Sequence, residues 1–185
     1  MAFLLPEGLA PEVYPLAWLV GTWRGEGVVA YPGIDEATFG HELVVTSDGG
    51  PYLGYTSTIR LVEVPDDASA LDGGEPEPAP VWASERGYWR VPPERPDDVP
   101  PGRHRVELLV ADPSGHVAVY VGAVGNGRID LVSDLVARTA TGADVTAGRR
   151  LYGLVNGELM WAHDLAAFGQ PLQSYASARL SRVES

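Results

Sequence analysis

After residue 20 the chain alternates. About ten short segments, from "VVAY" (28–31) and "HELVVTS" (41–47) to "ELMWAHDL" (158–165) and "LQSYASARL" (172–180), are rich in Val, Tyr, Trp, Thr and Leu and repeat with a period of two. A β-strand with one face in a core has this pattern, because it sends successive side chains to opposite sides. Short turn sequences separate the segments: "SDGG" (47–50), "PSG" (113–115), "GNG" (125–127), "ATGAD" (140–144) and "VNG" (155–157). Turns this tight join neighbouring antiparallel strands. An open meander would leave long edges of unpaired backbone groups, and closing it removes them. The expected fold is therefore all-β, a closed antiparallel up-and-down β-barrel of about ten strands. Barrels of about eight strands already hold one small ligand, so ten should enclose a larger cavity.

Two stretches break the rhythm. Residues 65–80, "PDDASALDGGEPEPAP", and 92–102, "PPERPDDVPPG", are rich in Pro, Gly and acid and are expected to be long exposed loops, with 66–80 the most mobile part of the chain. Helix signals are confined to "PEVYPLAWLVG", where a short N-terminal helical turn would let Leu16, Trp18, Leu19 and Val20 plug an apolar opening. A chain of 185 residues is expected to form a single domain spanning 1–185.

Composition removes several function classes. With no cysteine there are no disulfides, thiolate metal sites, iron–sulfur clusters or thiol nucleophile. All 13 basic residues are Arg, so lysine Schiff-base chemistry and a Walker-type phosphate lysine are excluded. A formal charge of −12 repels phosphate backbones and anionic lipid, which disfavours nucleic acid and membrane surfaces as partners. No apolar run is long enough to cross a bilayer. "MAFLLPEGLAP" has no basic region before its apolar residues, so the expectation is a cytoplasmic protein without a secretory signal.

Few motifs carry chemistry. "GTWRGEG" places Trp23 among Gly21, Gly25 and Gly27, a pattern that suits a bent strand with an indole closing the barrel's end. The overlapping "GEGVVA" fits a loose dinucleotide fingerprint, but Tyr31, Pro32 and Gly33 follow where a helix must begin. His41, His104, His116 and His163 have no metal-ligand spacing. Of these, His163 stands out because it shares an apolar strand face with Leu159, Trp161 and Leu165, where structural hydrogen bonding is commoner than ligation. There is no GxSxG elbow, the acid pairs lie mainly in the Pro-rich loops, and no catalytic residue is assigned.

"GTWRGEG", preceded by "LAWLV" and followed by "AYPGI", resembles the opening of the nitrobindin family, small lipocalin-like barrels similar to fatty-acid-binding proteins. "GGPYLGYTS", "ERGYWRVPP", "PSGHVAVYVG", "LVARTATGADVTAGRR" and "GQPLQSYASARL" resemble successive family segments in order, and together cover most of residues 14–183. The resemblance implies a b-type haem whose iron is bound by a histidine on the last strand, in a pattern like "QPLxxH", with nitric oxide binding or peroxynitrite isomerisation as its chemistry. In "QPLQSY" that position is Tyr175. Gly33 stands where the family usually carries Thr, and Ala143 where many members carry Lys.

These departures imply a divergent member that lacks the axial histidine and is not expected to hold haem. A small hydrophobic molecule is then the expected ligand, and a homodimer remains open. The alternative is a ferric haem protein, a peroxynitrite isomerase by family, using Tyr175 or His163 as its iron ligand. Tyrosine ligates ferric haem as a phenolate, which needs a nearby cation; Arg179 and Arg90 are the candidates. Strict alternation conflicts with this role, because it groups Tyr175 with Gln173 and Arg179, opposite Ala176, Ala178 and Leu180. The resemblance turns position 175 into the cavity, and that orientation is the expected one.

Overall fold

The structure is a computed structural model that describes residues 7–62, 79–94 and 99–184. Most of the 65–80 stretch and part of 92–102 lie outside the described residues. Ten strands follow one another: β1 (Gly21–Tyr31), β2 (Ile34–Thr46), β3 (Tyr52–Leu61), β4 (Val81–Arg90), β5 (His104–Asp112), β6 (His116–Gly125), β7 (Arg128–Arg138), β8 (Val145–Val155), β9 (Glu158–Ala167) and β10 (Gln173–Arg182). Each pairs antiparallel with its neighbour in sequence, and β1 pairs with β10, which closes the barrel and leaves no free edge. The turn chemistry explains the up-and-down order. Asn126-Gly127 and Asn156-Gly157 both have positive φ at two successive residues, 53° and 67° in the first and 53° and 86° in the second. That conformation makes a two-residue hairpin whose twist matches its strands.

One end of the barrel is plugged. The segment Pro11–Leu19 is a 3₁₀ helix rather than an α-helix, with Pro15 inside it. A repeat of three residues per turn stacks Val13, Leu16 and Leu19 on one side, and all three are fully buried. Trp18 and Val20 are only partly buried and pack against the rim of this core. Trp23 continues the plug: its Nε1 donates to the Leu19 carbonyl at 2.9 Å, and the Arg182 guanidinium lies 4.1 Å from its ring centroid. Gly27 lets β10 approach, since a Cβ there would lie 2.5 Å from Phe39 Cζ and 2.6 Å from Ala178 Cβ. The main core, including Leu43, Leu53, Trp89, Leu108, Ile129 and Leu159, fills the barrel on this side.

The opposite end differs. There the ladders are short, with β4 pairing β5 only through Arg86–Arg90 and β7 pairing β8 only through Arg128–Val132. The half of β4 from Val81 to Glu85 is therefore released to line an opening. Register shifts in β1–β2, β3–β4, β6–β7, β8–β9 and β9–β10 show where the barrel bends. Among the described residues no helix is long and apolar enough to cross a membrane.

Candidate functional site

A cavity of about 560 Å³ opens at the unplugged end, within the size range of small-molecule sites. Its walls carry several aromatic side chains, Tyr31, Tyr55, Trp82, Tyr152, Trp161 and Tyr175 among them.

Two β-bulges shape the mouth. In the β9–β10 ladder Ser174 pairs with Asp164 and Ala176 with His163, which leaves Tyr175 as the extra residue. In the β3–β4 ladder Ile59 pairs with Ala83 and Arg60 with Val81, which leaves Trp82 unpaired in the same way. A bulge re-aims its side chain, and here both turn toward the cavity. The two then meet across the opening, with Trp82 Nε1 donating to the Tyr175 hydroxyl at 2.8 Å. Alternation holds beyond the bulge, where Ala176, Ala178 and Leu180 face the core, and Tyr175 lines the cavity at it. The Tyr175 ring stands edge-on to Tyr31 at 5.9 Å and to His163 at 5.7 Å. Burial raises its phenol above the ordinary value; the Trp82 bond pulls the other way, and the charges of Asp112 and Glu85 add to the rise.

Deeper in, a charged pair crosses the lumen from β4 to β8. Arg150 holds Glu85 through two bonds, Nη1 to Oε2 at 2.7 Å and Nη2 to Oε1 at 2.5 Å, and the Tyr55 hydroxyl donates to Oε2 at 3.0 Å. The Arg150 guanidinium also lies 4.5 Å from the Tyr120 ring centroid. Burial alone would raise the Glu85 carboxyl, but the guanidinium outweighs it and, with these hydrogen bonds, leaves it at about 2. Both groups are therefore charged at neutral pH and each occupies the other.

Two of the three histidines that line the cavity, His41 and His163, are neutral. His41 is 5% exposed and lies in a relay: Trp161 Nε1 donates to its Nδ1 at 2.9 Å, and its Nε2 lies 2.8 Å from Ser57 Oγ. Burial lowers its pKa to about 4. His163 is lowered to about 3 by burial and then by the Arg150 charge. Its Nε2 has no hydrogen-bond partner among the described residues and is shielded beside Tyr120, against Gly148.

These imidazoles set an acid response. Unfolded, His41 takes up a proton near 6.5; folded, only near 4. The unfolded chain therefore binds more protons between those values, and stability must fall as pH is lowered through them, by about 3 kcal/mol for His41. The Glu85 contribution, from a depressed carboxylate, is lost later, as pH falls from about 4.5 toward 2. Urea unfolding at pH 7, 5.5 and 4.5 is expected to show the first loss. His41→Gln should flatten the profile, and an unchanged slope in that variant would contradict the assignment.

The other residues marked by the sequence fall elsewhere. Gly21, Trp23, Gly25 and Gly27 lie at or toward the plugged end. Gly33, with φ of 85°, occupies the exposed β1–β2 turn and does not line the cavity. Ala143 does line its rim, where its amide donates to the Ser114 carbonyl at 3.0 Å. Arg179 and Arg90 are on the outer surface, paired with Glu158 and Glu107, so neither is the cation beside Tyr175. Sequence reasoning passed over His41, Ser57, Trp82, Glu85 and Arg150. Glu85 was detectable, since it shares the strand phase of the buried Trp89.

Fold and site together define a β-barrel protein with an internal, aromatic-walled small-molecule cavity. The chain belongs to the family of the THAP4-like, heme-binding beta-barrel domain, which matches residues 12–182. It is 48% identical to a ferric nitrobindin-like protein of Beutenbergia cavernae, over 99% of this chain and 100% of that one. It is 44% identical to a peroxynitrite isomerase of Parafrankia sp., over 96% of this chain and 82% of that one. Among solved structures it resembles the crystal structure of Rv2717c from M. tuberculosis, with a TM-score of 0.72 and 32% identity over 95% of this chain and 99% of that one.

Proposed function

We propose that this protein is a nitrobindin-like binding module that does not retain haem and whose cavity takes a small, largely apolar molecule. The observation that carries the reading is the state of the iron donors on the cavity wall. Tyr175, at the place where the family resemblance puts the axial histidine, is a phenol whose pKa is raised, and its oxygen already accepts a bond from Trp82. Ligation of ferric iron by tyrosine needs the phenolate. The cavity's guanidinium, Arg150, is spent on Glu85 and offers no charge to create one. Both His41 nitrogens are engaged, and His163 Nε2 is turned away against Gly148. Tyr175, His41 and the Nε2 of His163 therefore offer no ready iron ligand.

The reading opposed to this one is a ferric haem protein, in keeping with the relatives named peroxynitrite isomerase. Protein purified from a host supplied with iron and a haem precursor distinguishes the two. The expected result is no Soret absorption and, in native mass spectrometry, a chain without haem. A Soret band near one haem per chain in the freshly purified protein would overturn the proposal.

A further inference from the structure

We propose that the cavity selects a neutral aromatic carbonyl compound, whose oxygens accept hydrogen bonds from the hydroxyl protons of Ser57 and Tyr175. This deepens the preceding reading and rests on it, since it requires the cavity to be free of haem.

Hydrogen-bond direction carries the inference. An indole N–H can only donate. Trp161 donates to His41 Nδ1, so that nitrogen is the acceptor and the neutral ring carries its proton on Nε2. Nε2 then donates to Ser57 Oγ, and the serine's own proton is left over. Trp82 works the same way on the other wall: it donates to the Tyr175 oxygen and leaves the phenolic proton available. Neither hydroxyl has a protein acceptor for that proton among the described residues, although both residues line the cavity. Two other cavity tyrosines contrast with them. Tyr55 donates to Glu85, and Tyr31 donates to the Leu165 carbonyl. Two tryptophans thus hold two hydroxyls as donors toward one space; the Ser57 proton is buried, where a donor left without an acceptor is costly, and the Tyr175 proton lies at the exposed mouth. A ligand that supplies acceptors removes that cost.

Charge excludes the anionic acceptors. The lining carries two carboxylates, Glu85 and Asp112, against one guanidinium, and Arg150 is bound to Glu85. The chain as a whole carries −12. A carboxylate or phosphate would be desolvated without a partner and repelled at the entrance. The rings of Trp161, Tyr55 and Tyr152 on the cavity wall favour an aromatic body. A neutral ring system bearing carbonyl oxygens meets all three conditions.

Three bicyclic probes separate the contributions: 1,4-naphthoquinone, naphthalene and 2-naphthoate, measured by equilibrium dialysis at pH 7. The absence of cysteine and lysine removes the side chains that add most readily to the quinone. The expected result is one-to-one binding of the quinone, at least tenfold tighter than naphthoate. Tyr175→Phe and Ser57→Ala should each weaken the quinone about fivefold and leave naphthalene within twofold, with circular dichroism confirming the fold of each variant. If naphthoate binds more tightly, or if the variants weaken all probes equally or none, the ligand class is overturned while the cavity reading stands. Failure of all three probes overturns the class as well. One-to-one uptake of haemin by the wild-type chain would instead overturn the reading on which the class rests.

Discussion

Replacing Arg150 by methionine is expected to lower the unfolding free energy by about 3–5 kcal/mol at pH 7, because it strands a buried carboxylate. The Arg150 guanidinium is the largest influence opposing the burial of Glu85, ahead of His163 and the Tyr55 hydrogen bond. In the variant, burial would raise the Glu85 carboxyl above its unfolded value. The folded state would then bind the extra proton, so the loss should shrink as pH is lowered toward 5 and grow as pH is raised. Exchanging both partners, as Glu85→Leu with Arg150→Met, should recover most of the stability, since a pair of apolar side chains needs no compensation. Urea unfolding of wild type, Arg150→Met and the double variant at pH 5 and 7 measures this. A single variant within about 1 kcal/mol of wild type would show that the pair is not the strut that its position across the lumen indicates.

The barrel was legible because hydrophobic alternation and turn chemistry are local. Asn-Gly pairs at 126–127 and 156–157 demand positive φ, and strands on both sides carry matching patterns, so the meander could be read residue by residue. Closure followed from edge avoidance. The site was less legible, because the features that build it are departures from alternation. A bulge adds one residue to one strand, and nothing in "QSYAS" or "VWASE" marks where that residue sits. The Tyr175 orientation was reached only through the family pattern, and Trp82 was missed altogether. The pairing of Glu85 with Arg150 joins residues on strands that are not neighbours, and a single sequence holds no record of such contacts. His163 was noticed for its apolar strand phase. His41 was passed over, although it stands in "FGHELVV" in the same phase as Phe39 and Leu43, both fully buried. Arg90 and Arg179 are the cations the sequence offers for Tyr175, but nothing in the sequence places them, and both lie outside, paired with Glu107 and Glu158.

Tyr175 is where the account can fail most plainly. Its ring already sits edge-on to Tyr31 and His163 at the bulge, so an imidazole in its place would present a neutral nitrogen to the cavity without any need to lose a proton. Tyr175→His is therefore expected to bind haemin at least tenfold more tightly than wild type. Ala143, on the cavity rim and unlike the family pattern, should keep the gain from being larger. The decisive measurement is a spectrophotometric haemin titration of wild type, Tyr175→His and Tyr175→Phe, read at the Soret band. The account predicts weak, unsaturable uptake by wild type and Tyr175→Phe alike, and a sharpened one-to-one band in Tyr175→His. Stoichiometric binding by wild type that Tyr175→Phe abolishes would contradict it and make Tyr175 the working axial ligand.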